Sequence, residues 1–451
     1  MVSDAARTPQ DTLERLRRGA LAGAVRLDLD HAGLSTLPPE VFGLADTLEV
    51  LNLSGNALDA LPEALPRLHR LRVLFCSDNP FTELPEVLGR CASLEVVGFK
   101  ACRIRRVAAT ALPPRLRWLI LTDNQLESLP DELGRRPGLH KLMLAGNRLD
   151  TLPRTLSGCH GLELLRLSAN RFEALPELLL DLPRLTWLAC AGNPFADAIE
   201  AEAVAGRQAP GIAWSDLALG ERLGEGASGV IHRACWQGAD AGTEDVAVKL
   251  FKGTMTSDGL PRCEMDACTA AGCHPALIPV HGRLDAHPDG VDGLVLGLID
   301  PVWRNLAGPP SLHSCTRDVY DPAWRLDVDR ALRLAGDIAS AAAHLHARGL
   351  VHGDLYAHNI LWRADSGAAL LGDFGAATFH RPDGSVLART LQAMEVRALG
   401  LLLGELVQHL DAVPGDPRAA ALEALATRCL HPVPLQRPTA ATLAEALQRP
   451  H

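Results

Sequence analysis

Lysine is nearly missing from this chain: only Lys100, Lys141, Lys249 and Lys252 occur, and arginine supplies the rest of its 44 basic residues. That bias, with much Ala and Leu, is associated with GC-rich bacterial genomes. No basic run stands out and the formal net charge is -10, which argues against a general nucleic-acid binder. CxxC pairs are missing as well. The 11 cysteines are odd in number and scattered, and the five-residue spacing of Cys263, Cys268 and Cys273 fits no metal-ligand pattern. They read as buried thiols in a reducing compartment. No apolar run reaches spanning length, and no apolar core follows a basic start, so a cytoplasmic chain with no membrane span is expected. What is present is 47% apolar and 22% charged residues over 451 positions, the composition of a folded protein with two or three cores.

The first half repeats itself. LEVLNLSGNALDALPEAL starts at Leu48, and related copies start at Leu71, Leu94, Leu116, Leu139, Leu162 and Leu185, at intervals of 23, 23, 22, 23, 23 and 23 residues. A worn first copy begins at Val25, which makes about eight units. In each unit Leu51 and Leu53 or their counterparts point inward from a short strand, and an asparagine marks the turn. Asn56, Asn79, Asn124, Asn147, Asn170 and Asn193 recur there, with Cys102 in the degenerate copy. No unit can bury its own leucines, so stacking is obligatory. The pattern resembles the leucine-rich repeats, which implies an α/β solenoid.

The outward strand positions fall into two rows. One reads Val50, Val73, Val96, Trp118, Lys141, Leu164, Trp187; the other reads Asn52, Phe75, Gly98, Ile120, Met143, Arg166, Ala189. Exposed sheet faces are usually polar, so the apolar set Phe75, Trp118, Ile120, Met143, Leu164 and Trp187, with Val73 and Val96, predicts a covered concave face. A protein substrate or partner, self-association and the second half of the chain are the alternatives for what covers it.

Residues 1–24 form an amphipathic capping segment that Asp11 or Thr12 could N-cap, and residues 25–198 hold the repeats. A small, polar stretch ending in Pro-Gly makes 199–213 a linker, and a second domain runs over 214–449. That domain opens with DLALGERLGEGASGVIHRACW, in which β-branched and aromatic residues follow Gly224, Gly226 and Gly229. A glycine-rich hairpin suits this better than a strand-turn-helix dinucleotide site. VAVKLF then sets Lys249 in an apolar strand, and Glu264 follows fifteen residues later on a predicted helix. A lysine between buried valines needs a partner. LVLGLID reads as a buried strand, and DVDRALRLAGDIASAAAHLHARGL as a helix delivering the chain to HGDLYAHNIL and LGDFG. There Asp354, Asn359 and Asp373 lie on short loops between strand-like runs. One carboxylate can orient a hydroxyl, while the amide and the second carboxylate hold Mg²⁺ against a polyphosphate.

In order and spacing these motifs resemble the eukaryotic-like, Hanks-type protein kinases. The resemblance implies an α+β bilobal kinase domain after the solenoid, using ATP and Mg²⁺ to phosphorylate protein Ser or Thr hydroxyls. It assigns Asp354, Lys249 and Glu264 to catalysis and Asn359 and Asp373 to the metal. For the nucleotide it implies Leu223, Gly224, Gly226, Gly229, Ile231, Ala247, Lys249, Leu296, Gly297, Ile299 and Leu361, with His352 and Phe374 as packing supports. Gly353 stands where the family has arginine, so activation-loop phosphorylation is not required and an arginine there should change little. Tyr356 replaces a lysine that offsets phosphoryl charge, and no Ala-Pro-Glu follows Gly375. Glu395 is the expected partner of Arg437, and Ser385 and Thr390 are candidate phosphoacceptors. An ATP-binding pseudokinase scaffold is one alternative; a small-molecule kinase of the aminoglycoside or choline type, which also uses His-Gly-Asp, is another.

Overall fold

The computed structural model describes residues 8–205, 210–226, 228–238, 242–253, 255–411 and 415–448. The chain divides into two compact units: one holds the chain through Leu165 together with Asn170–Leu182, and the other holds Arg166–Ala169 and everything from Pro183 onward. The expected linker residues 206–209 lie outside the described residues.

The first unit opens with helix α1 (Pro9–Arg17). Its cap is Thr8, upstream of the expected Asp11 and Thr12: Thr8 Oγ1 accepts from Asp11 N at 3.2 Å, and Asp11 returns the bond as the N3 partner of a capping box. The repeat strands β1 (Arg26–Asp28), β2 (Val50–Asn52), β3 (Val73–Phe75), β4 (Val96–Gly98), β5 (Trp118–Ile120), β6 (Lys141–Met143), β7 (Leu164–Arg166) and β8 (Trp187–Ala189) form one sheet in chain order. Pairing is parallel and in register, Leu51 opposite Leu74 and Leu74 opposite Val97. The inward leucines, such as Leu51, Leu53 and Leu74, are fully buried.

Asparagine does at each turn what its spacing predicts. Asn56 Nδ2 donates to the carbonyls of Leu53 and of Leu29 in the preceding coil at 2.8 and 2.9 Å, and its Oδ1 accepts from Leu34 N at 2.9 Å. One side chain thus satisfies backbone groups of two coils at once. Cys102, in the degenerate copy, only approaches the carbonyls of Cys76 and Lys100 at 3.5 and 3.6 Å. On the outward rows Phe75, Trp118, Ile120 and Met143 are half-buried. Trp118 packs on Met143 and under Lys141, whose ammonium stands 4.5 Å from the ring centroid.

In the second unit the expected linker is mostly structured. Helix α2 (Pro194–Val204) starts at the last repeat asparagine, and β9 (Gly211–Ala213) joins the sheet that follows. β10 (Leu217–Glu225), β11 (Gly229–Gly238), β12 (Gly242–Phe251), β13 (Val280–Asp285) and β14 (Gly293–Gly297) complete that sheet in the order β10-β11-β12-β14-β13-β9. Its core is Ile212, Leu217, Ala234, Val246, Val248 and Val295. Helix α3 (Pro261–Ala271) crosses it. A mainly helical lobe follows, with the short strands β15 (Arg304–Asn305), β16 (Leu350–Val351), β17 (Ile360–Trp362), β18 (Ala369–Leu371) and β19 (Thr378–Phe379). Its helices are α4 (Val328–Ala347), capped by Asp327, α5 (Val386–Gln408), α6 (Pro417–Cys429) and α7 (Ala440–Gln448). A repeat solenoid followed by an α+β two-lobed domain is the expected fold class.

Candidate active site

Antiparallel pairing builds the first half of the site. β10 and β11 form the glycine-rich hairpin, with Gly224 opposite Ile231 and Glu225 opposite Val230, so no helix follows the glycines. A Cβ on Gly229 would stand 2.5 Å from the Leu250 carbonyl oxygen, which makes this glycine obligatory for the β11–β12 pairing. β12 sets Lys249 opposite Ile231 on one side and Leu294 on the other. Lys249 and Glu264 are both buried, and the ammonium donates to Glu264 Oε1. Burial disfavours the Lys249 charge, but Glu264 and Asp373 more than offset this and raise its pKa. Burial pushes the Glu264 carboxyl up to about 7. Its second oxygen has no hydrogen-bond partner among the described residues.

The β17–β18 hairpin builds the second half. Ile360 pairs with Leu371, so Asn359 and Asp373 emerge side by side at its open end, tied by Gly372 N to the Asn359 carbonyl at 3.1 Å. Asp373 takes φ 60°, a left-handed conformation that Asp tolerates. Ile231, Lys249, Glu264, Leu294, Leu296, Asn359, Leu361, Asp373 and Phe374 line one cleft of about 220 Å³. Seven of the expected nucleotide residues are not among those lining it. Leu223 is 47% exposed on β10 and Ala247 is buried without reaching the cleft. Ile299 lies just beyond the end of β14, and Gly224, Gly226, Gly229 and Gly297 are also outside the lining.

The loop carrying Asp354 is fixed from beneath. His352 is fully buried, donates from Nε2 to the Gly372 carbonyl at 2.8 Å, and packs on Phe374 with ring centroids 5.1 Å apart. Glu395 on α5 accepts from the backbone N of His352 at 2.5 Å and of Gly353 at 3.1 Å, and its other oxygen meets His346 at 2.7 Å. Burial would raise the Glu395 pKa, but His346 and His352 hold it low, so the loop rests on a carboxylate. Glu395 therefore does not pair with Arg437, as its position suggested. Arg437 donates instead to the carbonyls of His431, Ala393 and Pro183 at 2.8, 2.8 and 3.2 Å.

Asp354 is held at both oxygens. Asn359 Nδ2 donates to Oδ2 at 2.9 Å, and Arg166 Nη2 donates to Oδ1. Burial alone would raise Asp354; Arg166, His358 and His352 bring it below the ordinary carboxylate range. Neither Arg166 nor Asp258, its second carboxylate, was expected in the site. The only sequence sign of Arg166 is a lone charge in an otherwise mostly apolar outward row. Tyr356 lies flat on Trp187, so Trp187 is only 2% exposed and is not available to a separate partner. Gly353 has φ 74°, and a Cβ there would meet the Ala376 and Leu188 carbonyl oxygens at 2.2 and 2.8 Å. An arginine at 353 would therefore be disruptive rather than neutral. After Gly375 the chain forms β19 against β16 and enters α5 at Val386, leaving no long segment to build a peptide shelf. Ser385 caps α5 and is exposed, whereas Thr390 is 3% exposed and bonds the Val386 carbonyl, which removes it as an accessible phosphoacceptor.

The donor set suits a magnesium-bound polyphosphate. Asn359 and Asp373 offer oxygen donors, too few for a protein-only cage, and no cluster of three or more His, Cys, Asp or Glu suited to a metal occurs among the described residues. Mg²⁺ is usually held by one or two carboxylates together with phosphates and water. No helix among the described residues is long and apolar enough to cross a membrane.

Comparison with known proteins agrees with this geometry. The protein tyrosine and serine/threonine kinase family matches residues 217–399, and the leucine rich repeat family matches 23–81, 114–172 and 137–195. The serine/threonine-protein kinase PkaA of Streptomyces coelicolor is 29% identical over 283 residues, 52% of this chain and 50% of its own. The human non-receptor tyrosine-protein kinase TNK1 is 28% identical over 279 residues, 51% of this chain and 39% of its own. The probable serine/threonine-protein kinase gdt4 of Dictyostelium discoideum is 28% identical over 181 residues, 36% of this chain and 9% of its own. The chain thus spans half the length of PkaA and less of the other two. With its asparagine-laddered repeats and its Lys249–Glu264 cleft, the chain combines leucine rich repeats with a domain of the protein tyrosine and serine/threonine kinase family.

Proposed function

We propose that this chain is a cytoplasmic, ATP-dependent protein kinase that phosphorylates Ser or Thr hydroxyls. The observation that carries the reading is the convergence of Lys249, Glu264, Asn359 and Asp373 on one cleft, with Asp354 bonded to Asn359. Magnesium ATP, when bound, supplies the transferable phosphoryl group. Ile231, Leu296 and Leu361 give the cleft its apolar walls for the base, and Lys249, held by Glu264, faces the phosphates. Asn359 and Asp373 would hold the metal. Asp354 orients the acceptor hydroxyl and takes its proton. The half-buried Phe75, Trp118, Ile120 and Met143 of the repeat sheet are the surface we assign to a protein partner.

A second reading, a nucleotide-holding scaffold without transfer, draws on one observation: both oxygens of Asp354 are already engaged. Incubation with labelled ATP and Mg²⁺, alone and with a generic acceptor protein, separates the two. The kinase reading expects incorporation by the wild type and none by Asp354→Ala. Equal incorporation by both would sink it, and ATP-dependent thermal stabilisation without transfer would establish the scaffold.

A further inference from the structure

The loop around Asp354 lacks a cation of its own at both places where this family carries one. At 353 no side chain fits. At 356 a tyrosine is buried against Trp187, and its hydroxyl has no partner among the described residues. Arg166, which falls in the same compact unit as the loop, makes up the deficit. It is 1% exposed, and its guanidinium is tied on every side. Nε donates to Asp258 Oδ1 at 2.5 Å, Nη1 to the carbonyls of Trp187 and Gly353 at 3.3 Å each, and Nη2 to Asp354 Oδ1. A guanidinium with this many fixed partners is pre-organised, and it binds carboxylates through a rigid fork. The opposite oxygen of Asp354 belongs to Asn359, so the plane of the carboxylate is set from two directions.

Charge makes the same demand. Without Arg166, Asp354 and Asp258 would face each other as half-buried like charges, with Asp373 also raising Asp258. A phosphoryl group arriving there brings more negative charge, which the site must meet with a positive one.

We propose that Arg166 is a positioning residue for phosphoryl transfer: it fixes the Asp354 carboxylate toward the acceptor hydroxyl and supplies the permanent positive charge that positions 353 and 356 do not. Asp258 is its anchor. The proposal rests on the kinase reading above.

The test compares wild type, Arg166→Met, Arg166→Lys, Asp258→Asn and Asp354→Ala in transfer of labelled phosphate from magnesium ATP to casein and to the protein itself. Arg166→Met is expected to lose about 100-fold in kcat while KM for ATP stays within about twofold, since the lost group acts in the transition state. Arg166→Lys is expected to recover about tenfold of that loss by restoring the charge without the fork. Should Arg166→Met not fold, Arg166→Lys and Asp258→Asn decide: a several-fold loss of kcat at constant KM supports the proposal, and unchanged kcat in both overturns it. Unchanged kcat in Arg166→Met overturns it as well. A rise in kcat there would identify the guanidinium as a plug, and would also overturn it. If wild type and Asp354→Ala transfer equally, the kinase reading itself fails and this proposal with it, an outcome distinct from a neutral Arg166→Met in an active enzyme.

Discussion

The indole of Trp187 lies flat against the ring of Tyr356, with centroids 4.0 Å apart and planes 11° from parallel. The indole Nε1 also donates to the Leu355 carbonyl at 3.1 Å. A residue at a repeat-strand position thereby clamps the loop that follows Asp354.

Removing the clamp should be costly and trimming it should not. Trp187→Ala is expected to destabilise the chain by about 3–5 kcal/mol, the usual cost of emptying a buried indole site. Tyr356→Phe removes only a hydroxyl that has no partner, and should stay within about 1 kcal/mol of wild type. Chemical denaturation of the two variants checks both values. Tyr356→Lys, which restores the residue of the family pattern, would bury an ammonium beside Arg166 and should lower stability rather than raise activity.

At Gly353 the backbone itself sets the outcome. Gly353→Ala forces a side chain into a left-handed conformation and against two carbonyl oxygens, so a loss of at least about 1–3 kcal/mol is expected. A melting temperature equal to wild type would refute the steric argument.

Lys249 and Glu264 should fail unequally. Lys249→Ala leaves a buried carboxylate without its cation, at a cost of about 3–5 kcal/mol, and abolishes the thermal shift given by magnesium ATP. Glu264→Gln keeps an acceptor for Lys249 and should destabilise less, while weakening the same nucleotide-induced shift. Differential scanning fluorimetry with and without nucleotide reads both effects.

One pH dependence follows from the helical lobe. Burial and the nearby Asp318 push Glu405 up from 4.5 to about 7, against the hydrogen bond from Tyr320 Oη at 2.9 Å. A raised carboxyl pKa means that the folded chain binds the proton more tightly than the unfolded one. This stabilisation is therefore complete below pH 4.5 and is lost as pH rises through about 7. Thermal unfolding across that window should show wild type falling relative to Glu405→Gln. Parallel curves would contradict the assignment.

What the sequence made readable is what repeats or sits close in the chain. Within the repeats, the 23-residue period located the buried strand leucines and the turn asparagines, because each coil solves the same packing problem. Lys249 with Glu264, and Asn359 with Asp373, were legible because a strand-helix step and a short hairpin bring them together. Arg166 and Asp354 are 188 residues apart, and no local pattern marks that pair. The expected Glu395–Arg437 pair failed for a related reason. Glu395 satisfies backbone N–H groups of the loop, and Arg437 satisfies carbonyls, so each found main-chain partners that no spacing of side chains records. Leu223 and Ile299 were carried over from motif position; Leu223 is exposed within β10 and Ile299 lies past the end of β14, and neither lines the cleft.

The compact unit that holds Asp354 also claims Arg166–Ala169 and the chain from Pro183. In linear sequence it is therefore discontinuous, and it is not a cassette. A fragment starting at Trp214, where the kinase motifs begin, would keep the complete nucleotide cleft yet discard the arginine on Asp354, the indole on Tyr356, and the Cys190 backbone N–H bonded to Thr378 at 3.2 Å. On the kinase reading proposed above, such a fragment is expected to retain nucleotide binding and lose phosphoryl transfer, so recombination or truncation at the motif boundary would separate the two.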